Sequence, residues 1–186
     1  MDGILIIDKP AGPTSHDVVN RVRRILQTRK VGHTGTLDPF ATGVLVLVIG
    51  KATRLAQFLD KDEKEYEAMI RFGFETDTGD PTGSRISERE LKSDEIVTKL
   101  SEVNWEVTLS GFRGEIEQLP PMYSAKKIEG KKLYESARKG IELDRKPVKI
   151  TIYKLNLVGS GETSATIRVA CSSGTYIRTL AEDIRR

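Results

Sequence analysis

The chain has 186 residues, of which 38% are hydrophobic and 31% charged, with a formal net charge of +3. That length suits one domain with room for an insertion, and the composition is that of a soluble globular protein. One cysteine, Cys171, excludes an internal disulfide, and with only two histidines it cannot make a Cys/His zinc site.

Gly3–Asp8 reads as a short buried strand, broken by "KPAGPTS" with its two prolines and glycine. Ser15 is then the expected N-cap of an amphipathic helix carrying Val18, Val19, Val22, Ile25 and Leu26, with Arg21, Arg23 and Arg24 off the apolar stripe. The polar stretch "VGHTGTLDPFATG" leads into Val44–Ile49, which has the length and character of a buried strand. A short helix is expected over Thr53–Leu59. From Glu65 to Phe72 the chain alternates, placing Tyr66, Ala68, Ile70 and Phe72 on one face.

"GFETDTGDPTGS" is a turn-rich loop, and Glu88–Val103 has helical spacing. Pro121–Lys149 holds nine Lys/Arg against four acids, so a basic segment sits on a near-neutral body. That is the footprint of a polyanion partner or, equally, a solvated loop. A short helix is expected near Lys131–Lys139. Val148, Ile150 and Ile152 alternate, as do Ala165, Ile167, Val169 and Cys171, and Ile177, Leu180, Ala181 and Ile184 predict a closing helix. The order lacks regular βαβ alternation. It predicts an α+β fold with a mixed, mainly antiparallel sheet and flanking helices.

No apolar run approaches the ~20 residues of a membrane span, and "MDGILIIDKP" is not a secretory signal, so a cytoplasmic location is expected. Neither GxxxxGK[ST] nor a strand-linked GxGxxG occurs, so no nucleotide cofactor is expected. Counting residues does not exclude a carboxylate-bound magnesium.

Asp38 is the first residue of chemical interest. It stands before Pro39, among Gly32, Gly35 and Gly43 and the hydroxyls of Thr34, Thr36 and Thr42, at the start of an apolar strand. An Asp-Pro turn accounts for it; so does a carboxylate at the rim of a cleft. In the second case a nucleophilic aspartate must stay ionised, which calls for a cationic partner. Arg178 falls in the first turn of the last helix, where a cation opposes the helix dipole. Ordinary exposure explains it, as would an anionic neighbour. Tyr66 is a core ring or a stacking surface for a nucleobase. Asp77 and Asp80 lack a full ligand set, which favours turn chemistry over a metal loop.

Taken together, "GILIIDKPAGPTSHDVV", "KVGHTGTLDPFATGVL", "KEYEA" with "TDTGDPTG", "LPPMYSAKKIEGKKLYESARKG" and "CSSGTYIRTLAEDI" resemble the TruB family of pseudouridine synthases. These stretches span nearly the whole chain in the family's order. Bacterial members isomerise uridine 55 in the T loop of tRNA. The long "PPMYSAKKIEGKKLYESARKG" segment is similar to the stand-alone bacterial type rather than to guide-dependent relatives such as dyskerin.

The resemblance implies an isomerase that acts by base flipping and an ionised catalytic aspartate. Asp38 matches that aspartate, Tyr66 the tyrosine that stacks on the target base and is a candidate proton acceptor, and Arg178 the arginine that pairs with the aspartate. His33 matches a histidine beside the flipped nucleotide. Lys9 and Pro10 match a motif that braces the active-site loop, Lys9 being also a candidate RNA contact. Arg54, Lys126, Lys127, Lys131 and Lys132 are further implied RNA contacts, the four lysines lying in a mobile thumb at about 121–149. The family needs no cofactor or metal. The implied partner is the tRNA T stem-loop, without guide RNA, bound by a monomer. Family members continue beyond "AEDIRR", so the 186 residues are expected to form a C-terminally truncated catalytic domain without the C-terminal RNA-binding domain. The alternative is a catalytically silent RNA-binding or tRNA-folding module on the same scaffold.

Overall fold

The computed structural model describes residues 1–61, 63–86, 93–128 and 130–185, with only the backbone of 93, 127, 128, 131 and 132. The chain packs as two compact units, Met1–Asp62 and Glu63–Arg186.

The first unit runs β1 (Gly3–Lys9), α1 (Ser15–Ile25), β2 (Val31–His33), β3 (Gly43–Ile49), a 3-10 turn over Gly50–Leu55 and α2 (Ala56–Leu59). Its three strands pair antiparallel in the order β1-β3-β2. Strand alternation sends Leu5, Ile7, Leu45, Leu47 and Ile49 to one face, where Val19 and Val22 of α1 cover them. Leu45, Leu47 and Ile49 are buried and each contributes roughly 1.5–3 kcal/mol, while Leu5 and Ile7 are half-buried and contribute less. The expectation of a wholly buried Val44–Ile49 run is corrected at its first residue. Val44 points to the opposite face and is 70% exposed.

A second correction concerns the start of α1. The N-cap is Thr14, not Ser15. Thr14 Oγ1 accepts from the Asp17 N–H at 3.1 Å, while the Asp17 carboxylate accepts from the Thr14 N–H at 2.9 Å and its hydroxyl at 2.6 Å. This reciprocal box satisfies donors that a helix start leaves unpaired, and it frees Ser15 for another task.

The second unit runs β4 (Lys64–Arg71), α3 (Ser93–Glu102), α4 (Trp105–Ser110), β5 (Gly114–Gln118), β6 (Lys127–Ile128), β7 (Lys131–Lys132), α5 (Leu133–Ala137), β8 (Val148–Gly161), β9 (Ser164–Cys171) and α6 (Ile177–Arg185). Residues 88–92 of the expected Glu88–Val103 helix lie outside the described residues. β4, β9, β8 and β5 form an antiparallel sheet in that order. Tyr66, Ala68, Ile70 and Phe72 pack on its core with Leu180 and Ile184 of α6, as the alternation of β4 and the spacing of α6 predicted. Cys171 is fully buried in this core, and burial pushes its thiol up from the usual range. Periodicity indicated neither β5 nor α4. The helix expected near Lys131–Lys139 is shorter, because β6 and β7 pair as a small hairpin just before it.

Every strand pair among the described residues is antiparallel. The architecture is thus the α+β, antiparallel one expected. Among the described residues no helix is long and apolar enough to cross a membrane.

Candidate active site

In the first unit Lys9 and Ser15 bond to the turn that carries Asp38. The Asp38 carbonyl accepts from the Ala41 N–H at 3.1 Å, so Asp38 does open a turn with Pro39 behind it. Its neighbours on both sides are fastened to the β1–α1 loop. The Ser15 hydroxyl donates to the Leu37 carbonyl at 3.1 Å and accepts from the Leu37 N–H at 2.9 Å. The Pro39 carbonyl accepts from the Gly12 N–H at 2.8 Å and from Lys9 Nζ at 3.2 Å. Gly12 has φ +107°, a conformation open to glycine at no steric cost. The Asp38 side chain, itself half-buried, therefore projects from a backbone held on either side.

Lys9 has no exposed surface, and its ammonium also donates to the carbonyls of Pro10 and Pro13, both at 2.9 Å. Three carbonyls match the three donors of an ammonium. Burial pushes Lys9 below the usual lysine range, and the negative charge of Asp38 opposes that shift. Of the two roles implied for Lys9, this is the geometry of the brace, since a buried ammonium presents nothing to a phosphate. His33 is half-buried on the edge strand β2, and its Nδ1 has no hydrogen-bond partner among the described residues. Arg54 is exposed at the end of the 3-10 turn.

In the second unit Tyr66 is half-buried, its ring against the core. Arg178 stands in the first turn of α6, as its spacing predicted. Its Nη1 donates to the Thr78 carbonyl and its Nη2 to the Tyr123 carbonyl, both at 2.6 Å. Carbonyl dipoles from two loops thus accommodate a cation that the helix dipole disfavours. The 76–84 loop is closed by its own side chains. Asp80 Oδ1 accepts from the Thr78 hydroxyl, the Thr82 hydroxyl and the Thr82 N–H, and Asp77 Oδ1 accepts from the Ser84 N–H. Asp77 and Asp80 are turn-formers. Among the described residues no group of three or more His, Cys, Asp or Glu side chains could hold a metal ion.

Lys126 is half-buried, and its backbone carbonyl accepts from the Leu133 N–H ahead of α5. The side chains of Lys127, Lys131 and Lys132 lie outside the described residues. Sequence reasoning missed two residues near these sites. Ser15 looked like a cap and instead grips Leu37. Gln118, a polar residue ending a strand, carried no signal at all.

The antiparallel α+β architecture is that of the pseudouridine synthase fold. The crystal structure of a Cbf5-Nop10-Gar1 complex superposes with a TM-score of 0.67 at 32% identity, covering 98% of this chain and 43% of that one. The structure of an H/ACA RNP bound to a substrate RNA containing 2'-deoxyuridine gives 0.62 at 28% identity, covering 98% and 41%. The chain belongs to the TruB family of pseudouridylate synthases, whose N-terminal domain profile matches residues 23–177. It is 51% identical to tRNA pseudouridine synthase B of Solibacter usitatus (strain Ellin6076), covering 99% of this chain and 61% of that protein. It is 48% identical to tRNA pseudouridine synthase B of Bordetella avium (strain 197N), covering 100% and 75%.

Proposed function

We propose that the protein isomerises uridine 55 in the T loop of tRNA to pseudouridine, acting as a monomer in the cytoplasm without a guide RNA. The observation that carries this reading is the 48–51% identity, along the whole chain, to proteins named tRNA pseudouridine synthase B. The chains of the Cbf5-Nop10-Gar1 complex and of the H/ACA RNP are less similar, at 32% and 28%.

The reaction balances within the substrate. The N1–C1′ bond of the uridine breaks, a C5–C1′ bond forms, C5 loses its proton and N1 gains one. No electrons are exchanged and no group leaves. The uracil must first leave the stack, at a cost of a few kcal/mol. Asp38 supplies the carboxylate that attacks the nucleotide or abstracts a proton, on a backbone that Ser15 and Lys9 keep from drifting. Pre-organisation matters because small misplacements of a reacting group lose large factors in rate. Tyr66 offers a ring to the base and Arg178 a fixed cation. The 121–149 segment serves as a basic thumb on phosphates, giving affinity with little sequence information, while recognition rests on the folded shape of the loop.

The test is tritium release from tRNA labelled at C5 of uridine, followed by mapping of the modified position. Release with pseudouridine at position 55 supports the enzyme. Tight tRNA binding without release would instead favour a silent RNA-binding module, which has no use for a braced carboxylate.

A further inference from the structure

We propose that Gln118 is a positioning residue for Arg178, holding the first turn of α6 at the angle from which that guanidinium reaches its two loop carbonyls. The inference rests on the reading above, in which Arg178 belongs to the reactive site.

Gln118 is the last residue of β5 and is 1% exposed. Its Oε1 accepts from the Tyr176 N–H at 2.7 Å, and its Nε2 donates to the Tyr176 carbonyl at 3.0 Å. One amide thus satisfies both backbone groups of the residue just before α6. A carboxamide carries its donor and its acceptor on two separate atoms, so one side chain meets both groups at once. The Tyr176 carbonyl also accepts the Leu180 N–H at 3.1 Å, so the residue Gln118 holds is the one that starts the helix.

Arg178 extends from that first turn, and one of its acceptors, the Tyr123 carbonyl, lies in the stretch that follows Gln118. Its other acceptor, Thr78, lies in a loop that runs close against α6. A Cβ built on Gly79 would sit 2.5 Å from Glu182 Oε1. Tilting the start of α6 would draw Arg178 away from carbonyls it meets at 2.6 Å on both sides. An apolar filler could occupy the space of Gln118, but it would leave the Tyr176 N–H without its acceptor and the helix start without its anchor.

The experiment compares Gln118→Met, Arg178→Ala and the double variant in the intact protein. It reads the Nη resonances of Arg178 in arginine-labelled samples, the single-turnover rate on tRNA, and tRNA affinity. Gln118→Met is expected to free rotation of the Arg178 guanidinium and to slow turnover on the order of 10- to 100-fold, with affinity unchanged. In the Arg178→Ala background it should cost nothing further, because residues acting through one another are not additive. Unchanged Nη signals in Gln118→Met, or its full penalty on top of Arg178→Ala, would overturn the proposal. Altered signals together with a fully active Arg178→Ala would leave the positioning intact and refute the assignment of Arg178 to the reactive site. Should Gln118→Met fail to fold, Gln118→Glu keeps the acceptor for the Tyr176 N–H, loses the donor, and is read the same way.

Discussion

The hydroxyl of Ser15 makes two hydrogen bonds to one residue, donating to the Leu37 carbonyl and accepting from the Leu37 N–H. Ser15 is 2% exposed and Leu37 is half-buried, so the contact is largely withdrawn from solvent. The contact joins the first residue of α1 to the residue before Asp38. Removing the hydroxyl in Ser15→Ala takes this partner from two part-buried backbone groups, at a cost of about 1–3 kcal/mol. The urea midpoint should fall accordingly, and turnover should fall further than tRNA affinity. A variant with wild-type midpoint and rate would show that the Asp38 turn does not depend on this bond.

Asp38→Asn keeps the size and the turn while removing the carboxylate. Tritium release should be abolished, with tRNA affinity held within a few-fold, because binding draws on phosphate contacts elsewhere. Retained release would end the assignment of Asp38 as the catalytic group.

The lysines of the 121–149 segment predict a salt effect. Replacing Lys126, Lys127, Lys131 and Lys132 with alanine should flatten the slope of log affinity against log salt by up to about 3 to 4. An unchanged slope in a filter-binding series would mean that this segment grips no phosphates.

The capping box of α1 predicts a pH dependence. Hydrogen bonds from the Thr14 hydroxyl and N–H hold the Asp17 carboxyl below its ordinary value of 3.8. A carboxylate whose folded pKa is depressed stabilises the fold above the unfolded pKa and loses that contribution as pH falls through the folded one. Asp17→Ala should therefore be less stable than the parent at neutral pH, and the two should converge below about pH 3.8. Denaturant midpoints measured from pH 7 down to pH 2.5 read this directly. A gap that persists at the lowest pH would place the effect in helix propensity rather than in the charge.

Much of the fold was legible from the chain alone, because alternation and helical spacing are local. Tyr66, Ala68, Ile70 and Phe72 lie within one strand, and the apolar residues of α6 within one helix, so each reveals its buried face without reference to anything distant. The motifs that carry the family resemblance, and with them Asp38 and Arg178, were likewise readable in order. The Ser15 prediction failed because two adjacent hydroxyls, Thr14 and Ser15, compete for the cap, and local pattern does not say which one a distant loop will claim. β5 escaped notice because five residues, alternating weakly, show a face only once β8 pairs with them.

What the sequence settled by itself, then, was which residues are apolar and at what period, and which polar residues have the right chemistry to act. The tertiary structure decided what holds them. What Lys9 holds was decided by folding, which buries it and brings Pro39, 30 residues away, onto its ammonium. Gln118 finds Tyr176 at a separation of 58 residues, and Arg178 finds Thr78 at 100. Such bonds form between groups that only the chain's topology makes neighbours, and once buried they have no water to fall back on. That is why they are invisible to any local pattern and yet fix where the candidate groups stand.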